Sequence, residues 1–165
     1  MTNLLLDSEQ LLNILLQALA AGCIGPAFAM LFNVPGRFLP LIALISALTR
    51  GTRALLVAIN VEIIVATFLA CCICSLIFIY FGPKLRVPRP IFTVPCIISM
   101  IPGVDAYNAL LALLSISEAI DHQELTTNIT LLFHSGMRAI GIIFAIAVGI
   151  AIPPLFFYRY RHTKL

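Results

Sequence analysis

Apolar residues along this chain come in long runs, separated by short clusters of Pro, Gly, Asn and charge. Five runs stand out, at residues 11–32, 39–58, 63–81, 91–118 and 128–152. A helix crosses the hydrocarbon core of a bilayer with about 20 predominantly apolar residues, so each run predicts a transmembrane helix. The polar–apolar alternation that the strands of a membrane barrel need is absent. The punctuation agrees with this division. Asn33-Val34-Pro35-Gly36 closes the first run with turn chemistry, Gly82-Pro83 the third and Pro153-Pro154 the fifth. The expected fold is an all-α integral membrane protein of about five transmembrane helices. Residues 1–165 form a single transmembrane domain with short connections, "DHQELTTN" (121–128) being one of them.

Composition removes the soluble alternative. The chain is 61% hydrophobic and 10% charged, where a soluble domain carries about a quarter charged residues. The start, "MTNLLLDSEQ", has no Lys or Arg and carries Asp7 and Glu9, so it does not read as a signal peptide. The net charge of +3 comes from short membrane-flanking clusters, which gives no footprint for nucleic acid. Those clusters set an orientation, because cytoplasmic connections collect Lys and Arg. Arg37, then Lys84, Arg86 and Arg89, then Arg159, Arg161 and Lys164 fall on one side of a five-span chain. The other side holds Asp7, Glu9, the turn near Asn60 and residues 121–128, with no Lys or Arg. The N-terminus is expected outside and the C-terminus in the cytoplasm. Cys71, Cys72 and Cys74 lack a second Cys/His pair at ligand spacing, and read as small apolar packing residues. No metal site or cofactor is expected. There is no phosphate-binding loop and no nucleophile–base pair, so neither ATP drive nor an enzyme is expected.

Several charges remain inside the runs: Arg50, Arg53, Asp105 and Arg138, with Glu62 at a span boundary. An ionised group within the bilayer is costly, and such residues commonly face a cavity or mark a pathway. Arg50 and Arg53 are three apart in "TRGTR" and share a helical face. Gly51 between them predicts a broken helix. Two guanidiniums suit a carboxylate, which they hold in bidentate geometry. The second predicted break is Pro102-Gly103. Pro102 cannot donate to the carbonyl of Ile98, so the helix should stop near Met100 and restart beyond. The restart exposes amide groups around 104–107 at the positive end of a helix dipole, an arrangement that transporters use to hold carboxylates or ions. Tyr107 and Asn108 add hydrogen-bonding groups. Asp105 has two readings, N-cap of the second half-helix or carrier of a coupling ion. In the last run His134, Arg138, Gly141, Ala145 and Gly149 fall on one helical stripe. Ala18, Gly22, Gly25 and Ala29 form a similar small-residue face in the first. Such faces let helices approach closely.

"FAMLFNVPGR" (28–37), "TRGTR" (49–53) and "IFTVPCIISMIPGVDAYNAL" (91–110) together resemble the threonine/serine exporter family, most closely its short, stand-alone half. The resemblance covers residues 15–160, and Pro102, Gly103 and Tyr107 carry its most recognisable pattern. Asp105 departs from that pattern, where a small or neutral residue is usual. The resemblance implies export of threonine and serine or, in split members, of dicarboxylates such as succinate. It also implies a multi-pass protein of the bacterial inner membrane, partnered by a larger membrane subunit that supplies the other half. A second copy of the chain is a further candidate partner. The rival expectation is a structural or assembly subunit that does not contact substrate.

Overall fold

The computed structural model describes residues 8–85, 90–118 and 122–162. Asp7, Arg86, Arg89, Asp121 and Lys164, which contribute to the expected orientation, lie outside the described residues, as do the side chains of Lys84, Arg159 and Arg161. The elements are all helical: α1 (Ser8–Leu31), a 3-10 turn (Gly36–Phe38), α2 (Leu39–Ala58), α3 (Ile63–Leu85), α4 (Pro90–Ile97), a second 3-10 turn (Ile98–Met100), α5 (Gly103–Glu118) and α6 (His122–His162). Among the described residues four helices are long and apolar enough to cross a membrane: Ser8–Leu31, Gly36–Ala58, Ile63–Phe81 and His122–Phe157. A fifth span results if the bent pair Ile91–Met100 and Gly103–Ser117 counts as one. In α1, Leu11, Leu15 and Leu16 are each more than half exposed. In water such a surface would be a large apolar patch; in a bilayer it is the face that lipid covers.

The first two helices end alike. Asn33 (φ 56°) and Asn60 (φ 64°) adopt left-handed backbone, which Asn tolerates better than most side chains. Val34 N–H donates to Ala29 O and Asn33 N–H to Met30 O; Val61 and Asn60 repeat this on Leu56 and Val57. These paired bonds satisfy carbonyls that a helix end leaves open. Glu62, exposed, stands just before α3, with its carbonyl accepting from Ala66 N–H at 2.8 Å. That is the boundary position the sequence gives it.

The chain divides into two compact units. One comprises residues up to Met100 together with those from Ala145; the other is Ile101–Phe144. The core of the first is a cluster that includes Ile42, Cys71, Cys74, Phe78, Phe92 and Met100. Phe92 meets Phe38 edge-on and stacks on Phe78, with centroids 5.1 and 5.8 Å apart, which ties the 3-10 turn before α2 to α3 and α4. Small residues set how closely the helices pass. A Cβ at Gly25 would lie 2.8 Å from the Ser46 side chain, and one at Gly149 would lie 2.8 Å from Cys71 Cβ and 2.9 Å from Phe68 O. The buried Ser46 hydroxyl donates to Ala21 O at 2.7 Å, bridging α2 to α1. In the second unit α5 and the first part of α6 bury Ala112, Ser135, Ala139 and Ile142.

Three expectations are corrected. No break occurs at Gly51: α2 is continuous from Leu39 to Ala58, and no described glycine has positive φ. A lone glycine costs a helix only about 1 kcal/mol relative to alanine, and a Cβ at residue 51 would meet Ala18 Cβ at an ordinary contact distance of 3.5 Å. The helix at 128–152 does not stop at Pro153-Pro154; α6 runs through both. Pro154 cannot donate to the carbonyl of Ile150, but Ser75 Oγ donates to it at 3.2 Å, so the lost bond is replaced from a neighbouring helix. Residues 122–128, expected in a connection, are the first turns of α6. Thr126 and Thr127 turn their hydroxyls back onto His122 O and Gln123 O, a way for hydroxyl residues to be accommodated within a helix.

Candidate functional site

Because α2 is unbroken, Arg50 and Arg53 project from one face of a regular helix. Arg53 is 7% exposed and its Nη1 donates to Met100 O at 3.0 Å. Arg50 is half-buried, with Nη1 donating to Ser99 O at 3.1 Å. Ser99 and Met100 close the 3-10 turn at which the first half of the broken element ends. Carbonyls at a helix end lack partners and carry the negative end of the dipole, so two guanidiniums cap this end from the side. The Ser99 hydroxyl is buried without a hydrogen-bond partner among the described residues. Both arginines also line a pocket of about 310 Å³. Its walls are Gln10, Asn13, Ile14 and Gln17 from α1, then Ala54, Val57 and Ala58 from α2 and Ile63 from α3. That volume is at the small end of the range for ligand pockets. Among the described residues the lining has no carboxylate, and its charged groups are the two guanidiniums.

The break itself falls where the sequence puts it. After Met100 the helix stops, Gly103 N–H donates to Ile101 O at 2.9 Å, and Ala106 N–H to Pro102 O at 3.0 Å opens α5. Among the described residues no such bond takes the amides of Val104 and Asp105. Gly103 does not use its conformational freedom: its φ is ordinary and a Cβ there would meet nothing. Pro102 is buried, Tyr107 exposed and Asn108 half-buried. These four belong to the second unit and do not line the pocket of the first.

Asp105 is not the N-cap. The helix begins at Gly103, which puts Pro102 in the capping position and Asp105 third in the helix, still well placed for the dipole. Pro102 has no N–H for a carboxylate to receive in a capping box. The carboxylate instead meets Arg138 of α6, Oδ2 to Nε at 3.6 Å. Arg138 Nε is buried and makes no hydrogen bond among the described residues, so the contact is an ion pair short of hydrogen-bond distance. His134, one turn earlier, is exposed. Of the predicted stripe, Ala145 and Gly149 are buried, whereas Arg138 and Gly141 are half-buried. The structure thus brings Arg50 to Arg53 and Asp105 to Arg138.

Sequence reasoning missed the carboxamides Gln10, Asn13 and Gln17. Their spacing of three and four within a leucine-rich run was the available signal. It also missed the Asp105–Arg138 partnership, which links two helices through a tertiary contact that no periodicity marks.

Four helices long and apolar enough to span a membrane, a bent fifth pair and a small pocket lined by two arginines describe a polytopic membrane protein. The chain matches the family described as Threonine/Serine exporter, ThrE, over residues 16–156, and it belongs to that family. It is 35% identical over 156 residues to a Haemophilus influenzae protein described as uncharacterized, an alignment covering 92% of this chain and 50% of that protein. The chain therefore spans about half the length of that curated relative. No solved structure matches it.

Proposed function

We propose that this chain is a subunit of a secondary exporter of small carboxylate-bearing metabolites. Threonine and serine, or a dicarboxylate such as succinate, are the substrate candidates, and a larger membrane subunit of the same family is the working partner. The observation that carries the reading is the pair of guanidiniums, Arg50 and Arg53, on the wall of a small pocket. Family membership supports export, and the half-length match to the longer relative supports a missing half. Asp105, paired with Arg138, is the proposed coupling group, and the first amides of α5 after Pro102-Gly103, with Tyr107 and Asn108, are proposed to meet substrate during transport. His134 is kept as a further candidate in this region.

Reconstitution tests the proposal. Counterflow of labelled serine, threonine and succinate is expected with both subunits present and little with this chain alone. Robust counterflow by the purified chain alone rules out the split-subunit arrangement. The orientation is tested separately: a reporter fused after Leu165 should read as cytoplasmic, and a cysteine placed at Gln123 should label from outside in a bacterial inner membrane.

One observation favours a second reading, that of an assembly subunit. Arg50 and Arg53 each spend a donor on the carbonyls of Ser99 and Met100, which is a structural task. Under that reading, replacing either arginine lowers stability and assembly with no separate effect on substrate.

A further inference from the structure

We propose that Gln10, Asn13 and Gln17 form the specificity wall of the pocket. They hydrogen-bond the second polar group of a small carboxylate whose first carboxylate is held by Arg50 and Arg53. This rests on the exporter reading and adds residues and a division of labour to it.

The argument starts from where α1 keeps its polar side chains. After Ser8 and Glu9 the residues between the carboxamides are Leu11, Leu12, Ile14, Leu15 and Leu16, and the four leucines are exposed as a lipid-facing surface, as the carboxamides are exposed toward the pocket. A carboxamide on that surface would be left without partners in hydrocarbon. The three present are spaced three and four apart, so they share one face, and all three line the pocket that Arg50 and Arg53 line from α2. Their depth matches as well. Gln17 lies about 14 Å of helix rise from Ser8, while Arg53 and Arg50 lie about 8 and 12 Å from the end of α2 at Ala58. The two walls therefore face each other over the same stretch of the span.

Their chemistry is complementary. Guanidiniums donate only, and suit a carboxylate. A carboxamide both donates and accepts, so it serves a second carboxylate, a hydroxyl or an ammonium group. Among the described residues the lining offers no carboxylate to an ammonium group, and the carboxamide oxygens are its acceptors there. Ile14, Val57 and Ile63 give the rest of the pocket an apolar surface against a short carbon chain.

The test compares three ligands that differ in the second group: succinate, threonine and butyrate, which has none. Binding is measured calorimetrically on the full chain in phosphatidylcholine nanodiscs, alone and with its co-purified larger subunit. Asn13→Leu and Gln17→Leu should each weaken succinate and threonine about fivefold to tenfold, the size of one lost hydrogen bond, and leave butyrate unchanged. Gln17→Glu, similar in size but anionic, should weaken all three. Arg50→Gln should weaken all three as well. If the leucine variants change all ligands equally, or none, the specificity wall is overturned while the arginine site stands. If Arg50→Gln changes nothing, or no ligand binds either preparation, the exporter site fails and the inference with it. If phosphatidylglycerol added to the nanodiscs occupies the pocket and soluble ligands do not compete, the site holds a lipid headgroup and the proposal is overturned.

Discussion

Arg53→Gln and Arg50→Gln separate capping from binding, because the two arginines share a pocket but differ in burial. Arg53 is buried and donates to Met100 O at 3.0 Å. Met100 is itself buried, so its carbonyl has little access to another partner. Losing a charged hydrogen bond at such a site costs about 1.5 to 3 kcal/mol. For a chain of this length, about 2 kcal/mol lowers the melting temperature by about 4 to 8 °C. Arg50 is only half-buried and donates to Ser99 O at 3.1 Å, so its replacement should cost less than half as much stability. Binding orders the two differently. If each holds a substrate carboxylate, either replacement should weaken affinity by about 10- to 150-fold. Thermal unfolding in detergent, followed by counterflow in liposomes with the larger subunit, measures both quantities on one preparation. The expected result for Arg50→Gln is near-normal melting with lost transport; Arg53→Gln should lose both. Arg→Lys should recover charge but only part of the function, since an ammonium cannot reproduce the fork. Normal transport by Arg50→Gln, with melting unchanged, refutes the binding role. An unchanged melting temperature for Arg53→Gln refutes the capping geometry.

The other predictions concern the break, the ion pair and the helix crossings. Pro102→Ala with Gly103→Ala raises helix propensity by about 4 kcal/mol summed over both sites, and a Cβ at residue 103 meets nothing. Transport should fall in a variant that folds and assembles, and a normal rate would show that the break is dispensable. Asp105→Asn removes the charge facing Arg138; counterflow should persist while uphill export fails, and export that survives intact would remove Asp105 from coupling. Gly149→Leu forces atoms against Cys71 Cβ and Phe68 O at 2.8 and 2.9 Å. It should destabilise by about 1 to 3 kcal/mol or more, a loss read from thermal unfolding and absent for Gly103→Ala.

The membrane class, the number of apolar runs and the stop at Pro102 were legible in the sequence because each follows from local physics. Lipid demands about 20 apolar residues in a helix, and a proline removes a backbone donor wherever it stands. Asn33 and Asn60 mark helix ends for the same local reason, a left-handed residue closing the last turn. Local rules failed where a distant group supplied what they found missing. Pro153-Pro154 predicts a stop, yet Ser75 from α3 takes the Ile150 carbonyl and the helix continues. Gly51 between two arginines predicts a break, yet a lone glycine costs a helix only about 1 kcal/mol and α2, packed along α1, stays whole. The partners of the charges were hidden for the same reason. Arg53 caps Met100, Asp105 faces Arg138, and Gln10, Asn13 and Gln17 stand opposite the arginines. Periodicity assigns each of these residues to a face of its own helix. Which helix that face meets is decided only when the apolar surfaces, and the glycines that let them approach, have packed.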